Sequence, residues 1–210
     1  NKDLTSIGPL YGMKLQSLNL EDTRVESIEP LGGMKLTELD LWACPNLRSV
    51  EGLQGMQLTK LSLYGGRPLE SLEPLQGMPL TYLQLRYCGM KSLKGLAGMP
   101  LEELDISNCK ELEDIEALTG MRLRKLNVAF SNKIKDFKPL RSLSLTHLHT
   151  QHSPFRDITL LKDMPLKQLG LGDAPITTLQ PLQGMKLTWL SISSKTLKSL
   201  NGIEKMPLKF

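Results

Sequence analysis

The sequence predicts a solenoid. Near-identical coils stack to form a curved parallel β-sheet on the concave side and short 3₁₀-like turns on the convex side. Three observations predict it. A Gly-Met pair or a close variant recurs at Met13, Met34, Met56, Met78, Met99, Met121, Leu143, Met164, Met185 and Met206, every interval being 21 or 22 residues. Shortly after each of these positions leucines alternate with polar residues, as in Leu39-Asp40-Leu41, a period of two that marks a strand with one buried face. Further on, apolar residues fall three apart, as at Val25, Ile28, Leu31 and Met34; threes without fours suit 3₁₀ turns better than an α-helix.

Each part of the unit follows from these residues. The strand segment reads M-x-L-x-x-L-x-L-x-x-small, as from Met34 to Cys44. Proline or glycine precedes the third apolar residue of the turn segment at Pro30, Pro74, Gly95, Pro139, Pro181 and Gly202, where either would interrupt a regular helix. In the 22-residue units the extra residue sits just after the small position, in the stretches CPNL, GRPL, CKEL and SNKI. One such unit cannot bury its own apolar face, but stacked units cover one another, with strands ~4.8 Å apart. Residues 1–210 therefore form a single domain of nine full units with a partial unit at each end. No polar cap stands at either end, so the chain is expected to be part of a larger protein or to have frayed terminal units.

At this point a resemblance can be named. LTELDLWAC and LEELDISNC resemble the LxxLxLxxN/C segment of the leucine-rich repeat family. The period and the I-x-x-L-x-P/G-L tail resemble its short, internalin-like bacterial class, and the GMPL joint resembles repeats of large bacterial proteins. The resemblance implies a non-catalytic module that binds a protein or peptide through its concave sheet. In one respect the sequence departs from the family: the usual asparagine column reads Thr23, Cys44, Gly66, Cys88, Cys109, Ser131, Ser153, Ala174 and Lys195, so no continuous asparagine ladder is expected. The three cysteines all lie in this inward column, where a thiol behaves as a compact apolar group. A Cys88–Cys109 disulfide across adjacent strands is conceivable, but buried reduced thiols are the expectation.

With the leucines inward, residues four, six, eight and nine after each methionine face outward. The first column runs Ser17, Glu38, Lys60, Tyr82, Glu103, Lys125, His147, Gln168, Trp189, and the second Asn19, Asp40, Ser62, Gln84, Asp105, Asn127, His149, Gly170, Ser191. The third runs Glu21, Trp42, Tyr64, Arg86, Ser107, Ala129, Gln151, Gly172, Ser193, and the fourth Asp22, Ala43, Gly65, Tyr87, Asn108, Phe130, His152, Asp173, Ser194. Aromatics make up only 5% of the chain, yet most fall here. Trp42, Tyr64 and Arg86 are consecutive in one column, with Tyr82 and Tyr87 beside them and Asp40 close by. Trp, Tyr and Arg are the residue types that dominate binding hot spots, so these six and His149 are the candidate ligand-binding residues.

All three histidines lie in one strand segment, His147, His149 and His152. His-x-His on a strand can hold zinc if a third ligand converges, and Asp173 neighbours His152, so a metal or catalytic surface is the alternative reading. A structural or adhesive array working through its convex side is another. No triad is complete, and no Gly-rich phosphate loop or kinase-type segment is present; neither an enzyme nor a cofactor is expected. A net charge of +4 with interleaved signs argues against nucleic acid. No apolar run reaches the ~18 residues of a membrane helix. The buried thiols lean toward a cytosolic-type setting.

Overall fold

The computed structural model describes residues 2–64 and 71–209. Nine strands form one parallel sheet in strict chain order: β1 (Ser17–Asn19), β2 (Glu38–Leu41), β3 (Lys60–Tyr64), β4 (Tyr82–Arg86), β5 (Glu103–Asp105), β6 (Lys125–Asn127), β7 (His147–His149), β8 (Gln168–Gly172) and β9 (Trp189–Ser193). Among the described residues the return path of each coil is a short 3₁₀ turn, such as Glu29–Leu31, and there is no α-helix. The threefold apolar spacing thus has its expected consequence. No helix among these residues is long and apolar enough to cross a membrane.

Strand register matches the outward columns read from the sequence. Glu38 pairs with Lys60, Lys60 with Tyr82, and Tyr64 with Arg86. The strand leucines and the turn apolars merge into one continuous core, in which Leu61, Leu83, Leu85 and Phe155 are wholly buried. Burial weakens toward the ends, where Leu18, Leu190 and Leu197 are only partly covered and Leu200 is exposed. The strand composition explains the sheet: an inward leucine from each coil packs on the equivalent leucines above and below, removing from water a face that a lone coil would expose.

Hydroxyls and acids outside the core fix where each coil bends. The Thr37 hydroxyl donates to the Gln16 carbonyl, Thr59 to Thr37, and Thr81 to Thr59 at 3.1–3.2 Å, a ladder along the edge where the strands begin. On the convex side Ser27, Ser49, Ser71 and Asp114 each accept the amide two residues on; this local bond starts the 3₁₀ turn. The joint glycines sit in the left-handed region, as Gly33 does at φ 76°. Unit seven has Ser142 in that place, and its turn lengthens to Lys138–Ser142. The Ser142 hydroxyl accepts the Gly120 amide and donates to the Pro139 carbonyl. Its other irregularity, the inward Thr150, is wholly buried with its hydroxyl donating to the Gly170 carbonyl. Drift in this unit is therefore absorbed by hydrogen bonds.

Among the described residues of the small column, hydroxyls and thiols do part of what an asparagine ladder does. Thr23 and Cys44 both donate to the Leu20 carbonyl, Cys109 to Leu85, and Ser131 to Ile106 while accepting the Cys109 amide. Cys44, Cys88 and Cys109 are buried free thiols. The Cys109 hydrogen bond and burial push the Cys88 thiol well up, and burial raises Cys44. The inserted residue of the longer units closes a turn, Leu47 donating to Cys44 and Leu112 to Cys109. The GRPL stretch and the column positions Gly65 and Gly66 lie outside the described residues.

Candidate recognition face

Asp40, Trp42, Tyr64, Arg86 and Tyr87 converge where β2, β3 and β4 end. The Trp42 and Tyr64 rings stack at 4.1 Å, 11° from parallel, and Tyr87 meets Tyr64 edge-on at 5.0 Å. The Arg86 guanidinium lies 5.4 Å from the Trp42 ring, 5.8 Å from Tyr64 and 5.9 Å from Tyr87. It reaches across β3 to a ring two coils away. Its Nε is buried without a hydrogen-bond partner, and no carboxylate among the described residues pairs with it. Among the described residues the positive charge is therefore offset by the faces of aromatic rings.

Asp40 acts one step back from this cluster. Its Oδ1 accepts the Trp42 amide at 2.8 Å, which fixes the bend that presents the indole. Asn19, Asp105 and Asn127 do the same for Glu21, Ser107 and Ala129. Asn19, Asp40, Asp105 and Asn127 of the second column are thus turn-formers. Their recurrence at one offset in every few units was the available signal.

Tyr82 departs from the arrangement the sequence suggested. It lies in the first column, away from the Trp42 stack, and lines a hollow of about 200 Å³ with Glu103, Asp105, Asn127, His147 and His149. Its hydroxyl donates to the Gln84 Oε1 at 3.3 Å. Burial, followed by Asp105, Glu103 and Asp40, holds its phenol above the ordinary range. The Glu38–Lys60 and Glu103–Lys125 pairs, each at 2.7 Å, bridge neighbouring strands; both are solvated and contribute little.

The three imidazoles have different partners. His147 Nδ1 is 2.8 Å from the Thr146 hydroxyl, and His149 Nδ1 is 3.3 Å from the Gln151 Nε2. His152 Nδ1 meets Asp173 at 3.1 Å and its ring stacks on Phe130 at 4.3 Å. Among the described residues no three His, Cys, Asp or Glu side chains come together as metal ligands. Burial is the main cause lowering both His147 and His149 below the ordinary 6.5; Lys125 adds to it at His147, and His147 adds to it at His149. His149 is further boxed by the Trp189 ring at 5.5 Å. Gln151 lies over Gly170 and Gly172, where a Cβ on Gly170 would come within 2.2 Å of its amide nitrogen. The glycines of β8 therefore make room for the side chain that fixes His149.

A feature that the sequence did not signal lies at the strand ends. Seven fourth-column residues take left-handed backbone although none of them is glycine: Asp22 at φ 57°, Ala43 at 53°, Tyr87 at 60°, Asn108 at 61°, Phe130 at 61°, His152 at 53° and Asp173 at 56°. Asp22, Asn108 and Asp173 are residue types that visit this region, whereas Ala43, Tyr87 and Phe130 are not. Tyr87 and Phe130 remain 46% and 45% exposed.

Comparison with solved structures places this geometry. An internalin, InlF, from Listeria monocytogenes superposes with a TM-score of 0.65 and 23% identity, over 97% of this chain and 76% of that one. Internalin C2 of the same organism gives 0.61 and 19%, over 94% and 76%. The fold is a leucine-rich repeat solenoid. No protein-family model and no curated protein matches the sequence. At these identities the likeness concerns the fold of the repeat array, and the residues on its concave face have to be read on their own chemistry.

Proposed function

We propose that this leucine-rich repeat array is a non-catalytic recognition module that holds an extended peptide or protein loop across its concave strand face. The observation that carries the reading is Arg86: a guanidinium held among three rings, with no carboxylate of its own among the described residues. A rigid, partly desolvated cation beside exposed aromatic area is what a ligand carboxylate flanked by an apolar side chain would fit. The hollow around Tyr82, Asp105 and His149 offers acceptors for the ligand's polar or basic groups farther along the sheet. Asp40 and Gln151 are positioning residues in this scheme, holding Trp42 and His149.

The reading is tested by selecting a phage-displayed peptide library on the immobilised protein, then measuring the selected peptides against W42A and R86M variants. Selected sequences should share an Asp or Glu next to an aromatic or branched residue. Affinity should fall at least ~10-fold for either variant, the range of a hot-spot truncation, while the melting temperature moves by only a few degrees. Peptides without a shared acid, or with equal affinity for the variants, would remove Arg86 and Trp42 from the binding face.

A further inference from the structure

The charge of this chain is segregated by surface, and the segregation does not come from the repeat. The four outward strand columns hold seven acidic and three basic side chains, although the chain as a whole carries +4. Its excess positive charge therefore lies off the strand face. Much of it is on one edge, where the Gly-Met joint turns into the strand, and most of that in the C-terminal half. Arg122, Arg124, Arg141, Lys162, Lys167 and Lys186 are all exposed there, against Asp163 on the same stretch. The same joint positions in the five units beginning at Met13, Met34, Met56, Met78 and Met99 carry two cations, Lys14 and Lys35, and one acid, Glu102. A repeated consensus would have charged both halves alike.

None of these six cations takes part in an ion pair among the described residues. The pairs lie elsewhere: Lys133 with Glu111, Lys135 with Glu113 and Lys138 with Asp136 toward the convex side, Lys60 and Lys125 on the strand face. The edge is also shaped. A groove of about 1030 Å³ runs between the units beginning at Met164 and Met185, lined by Lys162, Lys167 and Lys186, by the carboxylate of Asp163, and by apolar residues such as Pro165 and Met185. Adjacent coils repeat at about 4.8 Å in the sheet, so the cations form a row of closely spaced, unneutralised charges beside a channel.

We propose that this edge binds a linear sulfated polysaccharide. Its sulfate esters would pair with Arg122, Arg124 and Arg141 on two consecutive coils and with Lys162, Lys167 and Lys186 along the groove. The chemistry of the edge favours this polyanion over others. Single-stranded nucleic acid is held by aromatic rings on which bases stack, and duplex DNA by a helix or β-ribbon set in its major groove. A bilayer surface takes apolar side chains inserted beside the cations. The large exposed hydrophobics among the described residues are Tyr11, Met13, Tyr87, Phe130, Trp189 and Leu200; Tyr11 and Met13 stand on this edge at the first joint, in the opposite half from the six cations, and Trp189 stands on the strand face. The acid-rich strand face repels the same polyanion, which confines it to the edge and leaves the concave surface free for a second ligand.

The test is fluorescence anisotropy with labelled heparin oligosaccharide at 50 and 150 mM salt, alongside uncharged dextran, a 20-base-pair duplex and anionic phosphatidylglycerol vesicles. The wild-type chain should bind heparin, with affinity falling steeply with salt. R122Q/R124Q/R141Q and K162Q/K167Q/K186Q should each weaken binding about tenfold or more and flatten the salt dependence. The control K94Q/K110Q/K198Q, which removes equal charge elsewhere, should change it less than twofold. Circular dichroism melting checks that each variant is folded, and K162Q/K186Q carries the test should a triple variant unfold. Equal loss in the control, no heparin binding at 50 mM salt, or tighter binding of the duplex or vesicles through the same residues would overturn the proposal. Because the variants lie off the strand face, selected peptides should bind them normally, so this test and that of the concave face fail separately.

Discussion

The Arg86 cluster makes an unusual prediction for a solenoid, that coils which are not neighbours are energetically coupled. In a repeat array stability is close to a sum of each unit and its contacts with the next. Substitutions two coils apart, without shared partners, should then add within about 0.3–0.5 kcal/mol. Trp42 and Arg86 are two coils apart, yet the guanidinium lies 5.4 Å from the indole and both touch the Tyr64 ring. A cation over a partly exposed ring is worth about 0.5–1 kcal/mol. Loss of the Trp42 stack also frees Tyr64 to move away from the guanidinium, which brings the expected coupling to about 1 kcal/mol, within the range for aromatic pairs. For a chain of 210 residues that corresponds to about 2–4 °C of melting temperature. The assay is a double-mutant cycle of W42A and R86M followed by thermal and urea unfolding. Methionine keeps the aliphatic stem packed while removing the charge. The double variant should melt higher than the sum of the two single losses implies. A K125M/W42A pair, on surfaces that do not touch, should be additive. Additivity within 0.3 kcal/mol for W42A and R86M as well would show that the cation is not held by the rings, and the preorganised platform would fall with it.

Two further outcomes follow from the geometry. Gly95→Ala should destabilise, because a Cβ there would come 2.6 Å from the Leu72 carbonyl carbon and oxygen of the coil before. Glycine-to-alanine changes at ordinary backbone angles stabilise by about 0.4–1 kcal/mol, so a measured loss of about 1–3 kcal/mol reverses the sign and a gain would refute the close approach. Stability should also fall as the pH drops below the ordinary imidazole value of 6.5, since burial keeps His149 neutral in the folded chain to lower pH. Between its two values the unfolded state binds the proton and the folded state does not, so acid favours unfolding. H149Q should flatten that part of the melting profile, and an unchanged profile would mean that His149 titrates freely.

The fold could be read almost wholly from the chain because stacking repeats one decision many times. Once the leucines of one strand face inward, register carries every outward residue with them, and Glu38, Lys60, Tyr82 and Glu103 pair in order. The candidate site was readable in outline only. Columns report which residues are neighbours across strands, but not how far a side chain leans. Arg86 leans over two coils toward Trp42, whereas Tyr82, equally close in sequence order, stays with Glu103 and His147. Nor does a column announce that Asp40 is occupied by a backbone amide, or that Gly170 and Gly172 are small so that Gln151 can lie across them. The serine, threonine or aspartate that opens these 3₁₀ turns did recur at a fixed offset. Its role is plain only once the backbone bends there.

The left-handed positions at the strand ends bear on how this array departs from a neutral scaffold. A residue other than Gly, Asn or Asp in that region costs about 1–2 kcal/mol. Asn108 shows that the coil accepts an inexpensive residue there. Tyr87 and Phe130 carry the cost at the same position, and with nearly half of each exposed burial only partly offsets it. Part is offset by the edge-on contact of Tyr87 with Tyr64 and by the stacking of Phe130 on His152. The same backbone conformation turns both side chains off the end of the strand, so a ring placed there stands at the rim of the sheet. The rim then has two aromatic projections, one joined to Arg86 and the other to the His152–Asp173 pair. If Tyr87 and Phe130 served only the scaffold, asparagine at both should raise the melting temperature, and peptides selected on the wild-type face should bind as before. Loss of those peptides together with a gain in stability is the pairing expected of residues kept for contact rather than for folding.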